Sequence, residues 1–224
     1  MRKMKSLANP AAVAGMARFG VTAKKAYGLS TPQLRKLARE VGRDHALAAR
    51  LWATGILDAR GLATLVDDPL QVSEEQMERW VVDFDSWAVC DGACLNLFRW
   101  TPRAYRKCFE WSSHPEEFVK RAAFSLMAGL AVSDKGASNQ AFIAFLPIIK
   151  REAADERNFV KKAVNWALRQ IGKRNRRLNR AAIQTAQEIH RLDSPSARWI
   201  ASDALRELAS GAVQKRLKSR GPST

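Results

Sequence analysis

Two short stretches of this chain place residues of reactive type at helical spacing. In the first, Asp83-Phe84-Asp85-Ser86-Trp87-Ala88-Val89-Cys90-Asp91-Gly92-Ala93-Cys94-Leu95, Trp87 and Asp91 stand four residues apart. On a helix that spacing puts both on one face, with Cys94, Leu95 and Phe98. A carboxylate on an otherwise apolar and aromatic face is costly to bury, so Asp91 requires a cationic partner, a backbone donor or a catalytic task. Pairing with an arginine, or capping a neighbouring helix, would be a purely structural use of the same residue. In the second stretch, Lys162, Trp166, Arg169 and Lys173 follow one another at steps of four, three and four. A row of cations around one aromatic suits a phosphate backbone with a sugar or base. Packing of Trp166 on lysine and arginine stems is the structural alternative. Arg174, Arg176, Arg177 and Arg180 extend the basic cluster. Arg121 shares a side with Phe118, Phe124 and Ala128, so its guanidinium either snorkels to solvent or meets an anion, Asp91 or a DNA phosphate.

The overall charge agrees with a polyanionic partner. Among 224 residues, 38 Lys and Arg face 22 Asp and Glu, a formal net charge of +16, too large for an ordinary enzyme of small metabolites. With 46% hydrophobic residues, global disorder is excluded. The three cysteines, Cys90, Cys94 and Cys108, are odd in number and grouped, and His45, His114 and His190 are scattered. That excludes a disulfide scaffold and argues against a structural zinc; neither metal nor cofactor is expected, and Cys90 and Cys94 read as small core residues. The basic start is interrupted by Asn9-Pro10 and Arg18, and no run approaches the roughly 18 apolar residues of a membrane span, so a cytoplasmic protein is expected. Attraction to a membrane surface remains an alternative use of the charge.

Proline after a polar residue recurs at Asn9-Pro10, Thr31-Pro32, Thr101-Pro102, His114-Pro115 and Ser194-Pro195, marking helix starts. Ser73 with Gln76 reads as a capping box. Hairpin signals are lacking and Ala, Leu, Arg, Lys and Glu fill the periodic segments, so the fold class is all-α. The spacing predicts helices over 10–19, 31–42, 44–54, 58–67, 73–84, 87–98, 102–112, 115–131, 138–150, 156–173, 176–190 and 195–209. Helix pairs at a step near ~40–47 residues suggest an α-solenoid of stacked antiparallel pairs, HEAT-like, with about twelve helices and a concave basic face. One domain over 1–210 is expected, followed by a disordered basic tail over 211–224. Trp52, Trp80, Trp100, Trp111 and Trp199 read as core.

Four elements, Met16-Ala17-Arg18-Phe19, Trp87 with Asp91, Lys120-Arg121-Ala122-Ala123, and 159–169 with Trp166 inside it, occur in this order over nearly the whole chain. In this the chain resembles the AlkD-like family of DNA alkylation repair proteins, HEAT-like repeat glycosylases acting on alkylated purines. The resemblance implies that Asp91, Trp87 and Trp166 line a catalytic cleft and that Arg121 and Arg169 contact DNA. Phe19, Lys162, Lys173, Arg174 and Arg176 complete the expected DNA-binding set. Two positions depart from the family pattern: Phe19 stands where tyrosine is frequent, and Gly129 where a lysine follows the motif arginine. The first removes a hydroxyl and the second a cation.

The expectation is a monomeric, monofunctional, metal-free glycosylase of base excision repair. It would release cationic N3- or N7-alkylated purines, such as 3-methyladenine and 7-methylguanine, from double-stranded DNA in a bacterial cytoplasm, at the nucleoid and away from the membrane. The alternative is a noncatalytic HEAT-like binder of bent, branched or damaged duplex. Asp91 separates the two, because an acid facing phosphates weakens a pure binder. A HEAT-type protein scaffold, in turn, would not need the basic stripe around Trp166.

Overall fold

The computed structural model describes residues 1–21 and 25–219, and among them every regular element is helical. Each predicted helix is present within a few residues of its expected bounds, except that 138–150 divides in two. Pro147 lies in the first turn of the later piece, and a ring without an N–H cannot continue a helix from upstream. The helices fall into two compact units, Met1–Ala104 and Tyr105–Thr224.

The first unit holds α1 (Arg2–Ser6), α2 (Pro10–Met16), α3 (Thr31–Val41), α4 (His45–Ala53), α5 (Leu57–Val66), α6 (Glu74–Val82) and α7 (Trp87–Asn96). A 3-10 turn, Ala17–Phe19, follows α2. Asn9, Asp44 and Ser73 each accept a backbone N–H from the first turn they precede, which satisfies a donor the helix leaves open. The core is aromatic: Trp52 on α4 and Trp80 on α6 stack with centroids 3.9 Å apart and planes at 4°. Phe84 and Phe98 pack at their edges. The buried carboxylate of Asp58 on α5 accepts the backbone N–H groups of Tyr27 (2.5 Å), Gly28 (3.3 Å) and Leu29 (2.7 Å). Gly28 has φ +79°, and a Cβ there would lie 2.4 Å from the Asn9 carbonyl, so only glycine fits. Ser73 and Gln76 do not form the expected reciprocal box. Gln76 instead donates to Asp67 at 2.7 Å, because a fully buried carboxylate needs every donor within reach. The capping box occurs at Ser30, whose N–H donates to Gln33 Oε1 at 2.8 Å.

The second unit holds α8 (Ala104–Glu110) from its second residue on, α9 (Glu117–Ser133), α10 (Asn139–Ile143), α11 (Leu146–Glu152), α12 (Asn158–Gly172), α13 (Arg176–His190), α14 (Pro195–Leu208) and α15 (Gly211–Ser219). Two helices dominate it. α9 is buried almost throughout from Arg121 to Ala131, and its most extensive packing is against α12. At the end of α12, a Cβ on Gly172 would meet Leu208 at 2.7 Å and Ala182 at 2.9 Å, so α13 and α14 close on bare backbone. The structure differs from the expected tail: 211–219 is helical, because Val213 and Leu217, one turn apart, are buried. The remainder of the expected tail, 220–224, lies outside the described residues.

Cys90, Cys94 and Cys108 are buried and form no disulfide among the described residues, and Trp52, Trp80 and Trp111 are buried, as expected. Trp100 and Trp199 are corrections, at 49% and 42% exposed. Each lies beneath a cation, Arg99 at 4.7 Å and Lys161 at 5.8 Å, so the indole is covered by a charged side chain rather than by core. No helix among the described residues is long and apolar enough to cross a membrane.

Candidate nucleic-acid interface

In the first unit, α7 turns Val89, Cys90, Ala93 and Cys94 inward and leaves Trp87 and Asp91 half-buried, one turn apart, on a face of their own. The Trp87 Nε1–H donates to the Phe19 carbonyl at 2.8 Å, tying together residues 68 apart in sequence. This bond fixes both the indole and the 3-10 turn, while the Phe19 ring itself stands 73% exposed. A largely apolar cavity of about 390 Å³ opens beside the indole, with Met16, Phe19, Leu34, Trp87, Gly92 and Asn96 in its wall. Asp91, one turn along α7 from Trp87, is not among the residues of that wall.

In the second unit, α12 buries Val160, Ala163, Val164, Ala167, Leu168 and Ile171, which leaves Lys162 exposed and Trp166 half-buried at the boundary. Phe159, at the start of the helix, is only half-buried and packs on Phe118 at 5.4 Å. Arg169 Nη1 lies 2.7 Å from Glu207 and 3.3 Å from Asp203, and Lys173 Nζ lies 2.6 Å from the other Glu207 oxygen. Burial pushes the Glu207 carboxyl up, yet hydrogen bonding from Lys173 and the Arg169 charge hold it below its usual range. Asp203 also accepts from Asn165 at 2.7 Å. Two cations of the stripe are therefore clamped from α14. Sequence reading missed these acids, although their own i, i+4 spacing within 195–209 carried the signal.

Arg121 neither snorkels nor reaches the surface: it is 6% exposed and donates to the Phe159 carbonyl at 2.7 Å, joining α9 to α12. Its neighbour Lys120 pairs with Glu152 at 2.5 Å and Asp155 at 3.2 Å. Burial opposes ionisation of Asp155, but hydrogen bonds from Arg157 and Lys120 bring its carboxyl down to about 2. Arg174 turns away from the stripe, donating to the Ala131 carbonyl at 2.8 Å and lying 4.1 Å over the Phe142 ring. It thereby closes the last turn of α9. Arg176 is exposed, with a long contact of 3.4 Å to the Lys218 carbonyl. Gly129 lies buried within α9.

Phe19, Trp87 and Asp91 thus form one group in the first unit, and Arg121, Lys162, Trp166, Arg169 and Lys173 gather on or against α12 in the second. The model of a family described as "DNA alkylation repair enzyme" matches residues 1–208. A solved structure is similar at a TM-score of 0.77 and 19% identity, over 97% of this chain and 94% of that one. That protein represents "a new family of proteins related to the HEAT-like repeat DNA glycosylases with affinity for branched DNA structures". At this identity the likeness establishes the fold, all-helical and HEAT-like. No curated protein matches the chain.

Proposed function

Because this chain belongs to the family of DNA alkylation repair enzymes, we propose that it is a monofunctional glycosylase hydrolysing the N-glycosidic bond of cationic N3- or N7-alkylated purines in double-stranded DNA. The observation that carries this reading is the Trp87 and Asp91 pair, half-buried on one face of α7, with the indole fixed by its bond to Phe19. A carboxylate one turn from an oriented indole weakens a binder of phosphates and serves a catalyst of cationic chemistry.

An alkylated purine already carries positive charge, so scission of its C1′–N bond sends the bonding pair into the ring and releases a neutral base. The sugar is left oxocarbenium-like. Asp91 stabilises that charge electrostatically and orients a water, whose oxygen bonds to C1′ while its proton passes to solvent. Trp87 adds cation–π attraction of ~0.5–2 kcal/mol, and Trp166 offers a second indole of the same kind. The product is an abasic site, with no amine needed as nucleophile. Lys162 is available to duplex phosphates directly, and Arg169 and Lys173 engage them by exchanging Glu207.

A noncatalytic binder of branched or bent duplex is the second reading, favoured by the affinity for branched DNA of the structurally similar protein. Base release distinguishes the two. The proposed enzyme frees 3-methyladenine or 7-methylguanine from methylated duplex, and Trp166→Ala slows that release by at least about tenfold while leaving the fold intact. DNA binding without release of either base selects the binder.

A further inference from the structure

The loops at one end of the second unit enclose a polar cavity of about 690 Å³ that the catalytic reading does not use. Its wall draws on four segments: Lys135 from the turn after α9, Lys173 and Arg174 from the end of α12, Asn175 at the start of α13, and Arg216 from α15. Four of these five side chains are cationic, and none of the residues in the wall is an acid. Two carboxylates stand close by, and both are engaged. Glu207 holds Lys173 at 2.6 Å, and Asp134 accepts from the Tyr105 hydroxyl at 2.9 Å and from the Ala137 N–H at 3.0 Å.

The cations differ in how they are held. Arg174 is fixed in the wall by the Ala131 and Ala137 carbonyls. Asn175 is fixed as well, its amide donating to Asn139 Oδ1 at 2.6 Å. Lys135 is exposed and without an ion pair among the described residues, and Arg216 makes only a 3.5 Å contact to the Lys173 carbonyl. A rigid polar wall with two uncommitted cations at its rim repels itself when empty and is relieved by an anion. The Lys135 ammonium and the Arg216 guanidinium supply charged donors of the kind that phosphate oxygens accept.

We propose that this cavity is a phosphate-binding site, reached by Lys135 and Arg216 from the rim, at which the protein holds a DNA phosphate separate from those along α12. The inference rests on the DNA-binding part of the function proposed above, not on catalysis. Lys135 and Arg216 are the residues to change, since both side chains are exposed.

The experiment measures binding of lesion-free duplex across a salt series, for the full chain and for the Lys135→Gln, Arg216→Gln double variant, with thermal melting in increasing inorganic phosphate in parallel. The expected result is a threefold to tenfold loss of duplex affinity in the variant, with the slope of log K against log salt shallower by roughly 0.9 for each phosphate that the variant no longer neutralises. Unchanged duplex binding, with inorganic phosphate stabilising the intact protein but not the variant, would assign the site to a free or terminal phosphate. If neither duplex affinity nor the response to phosphate differs between the two proteins, the site does not exist. Lesion-free DNA keeps this outcome distinct from failure of the glycosylase reading, which base release alone decides.

Discussion

Asp91 and Glu207 show how much a carboxylate's neighbours decide. Glu207 sits between Arg169 and Lys173, so it neutralises two cations that a duplex would otherwise meet. Replacing it by Gln keeps the shape and removes the charge. Glu207→Gln is therefore expected to tighten lesion-free duplex binding about threefold to tenfold and to steepen its salt dependence, read by fluorescence anisotropy. Weaker binding would instead mean that Glu207 positions those cations. Trp87 is tied through its N–H, so Trp87→Phe keeps an aromatic face while freeing the Phe19 turn. The expected outcome is slower base release with duplex affinity changed less than about threefold, because in the proposed reaction the indole acts on the reacting sugar rather than on phosphates.

At the scale of elements, α12 was the most legible part of the sequence and also the most incompletely read. Its buried stripe and the spacing of Lys162, Trp166 and Arg169 follow from helical period alone. That Arg174 closes α9 and that Arg121 reaches the Phe159 carbonyl do not, because both contacts join residues about 40 apart whose pairing only the packed helices create. Exposed Trp100 and Trp199 were misread for a related reason: an apolar context in sequence does not reveal a cation that covers the ring from elsewhere. Gly172 offers a direct test of the packing. Gly172→Ala would drive a methyl into Leu208 and Ala182, at an expected cost of about 1–3 kcal/mol in chemical denaturation. Little change would mean that α14 shifts freely against α12. The aromatic stack of the first unit predicts a larger effect, about 3–5 kcal/mol for Trp80→Ala.

Across the whole molecule, a net charge of +16 makes nonspecific attraction to nucleic acid unavoidable, so affinity alone says little about function. Acid sensitivity is more specific. Asp155, brought down to about 2, gains its stabilising contacts only as the carboxylate. Its folded value lies below the ordinary range near ~3.9, so that contribution is complete above about pH 4 and is lost as pH falls toward 2. Asp155→Asn should flatten the loss of stability over that window and lower stability at neutral pH, both visible in thermal melts. The proposed chemistry, unlike the charge, turns on one carboxylate of the first unit, Asp91. The most direct measurement is release of 7-methylguanine and 3-methyladenine from methylated duplex by the intact protein and by Asp91→Asn, with duplex affinity recorded for both. Release by the intact protein, falling at least about a hundredfold in Asp91→Asn at equal affinity, is the predicted result. Equal release by both proteins, or release by neither, would contradict it.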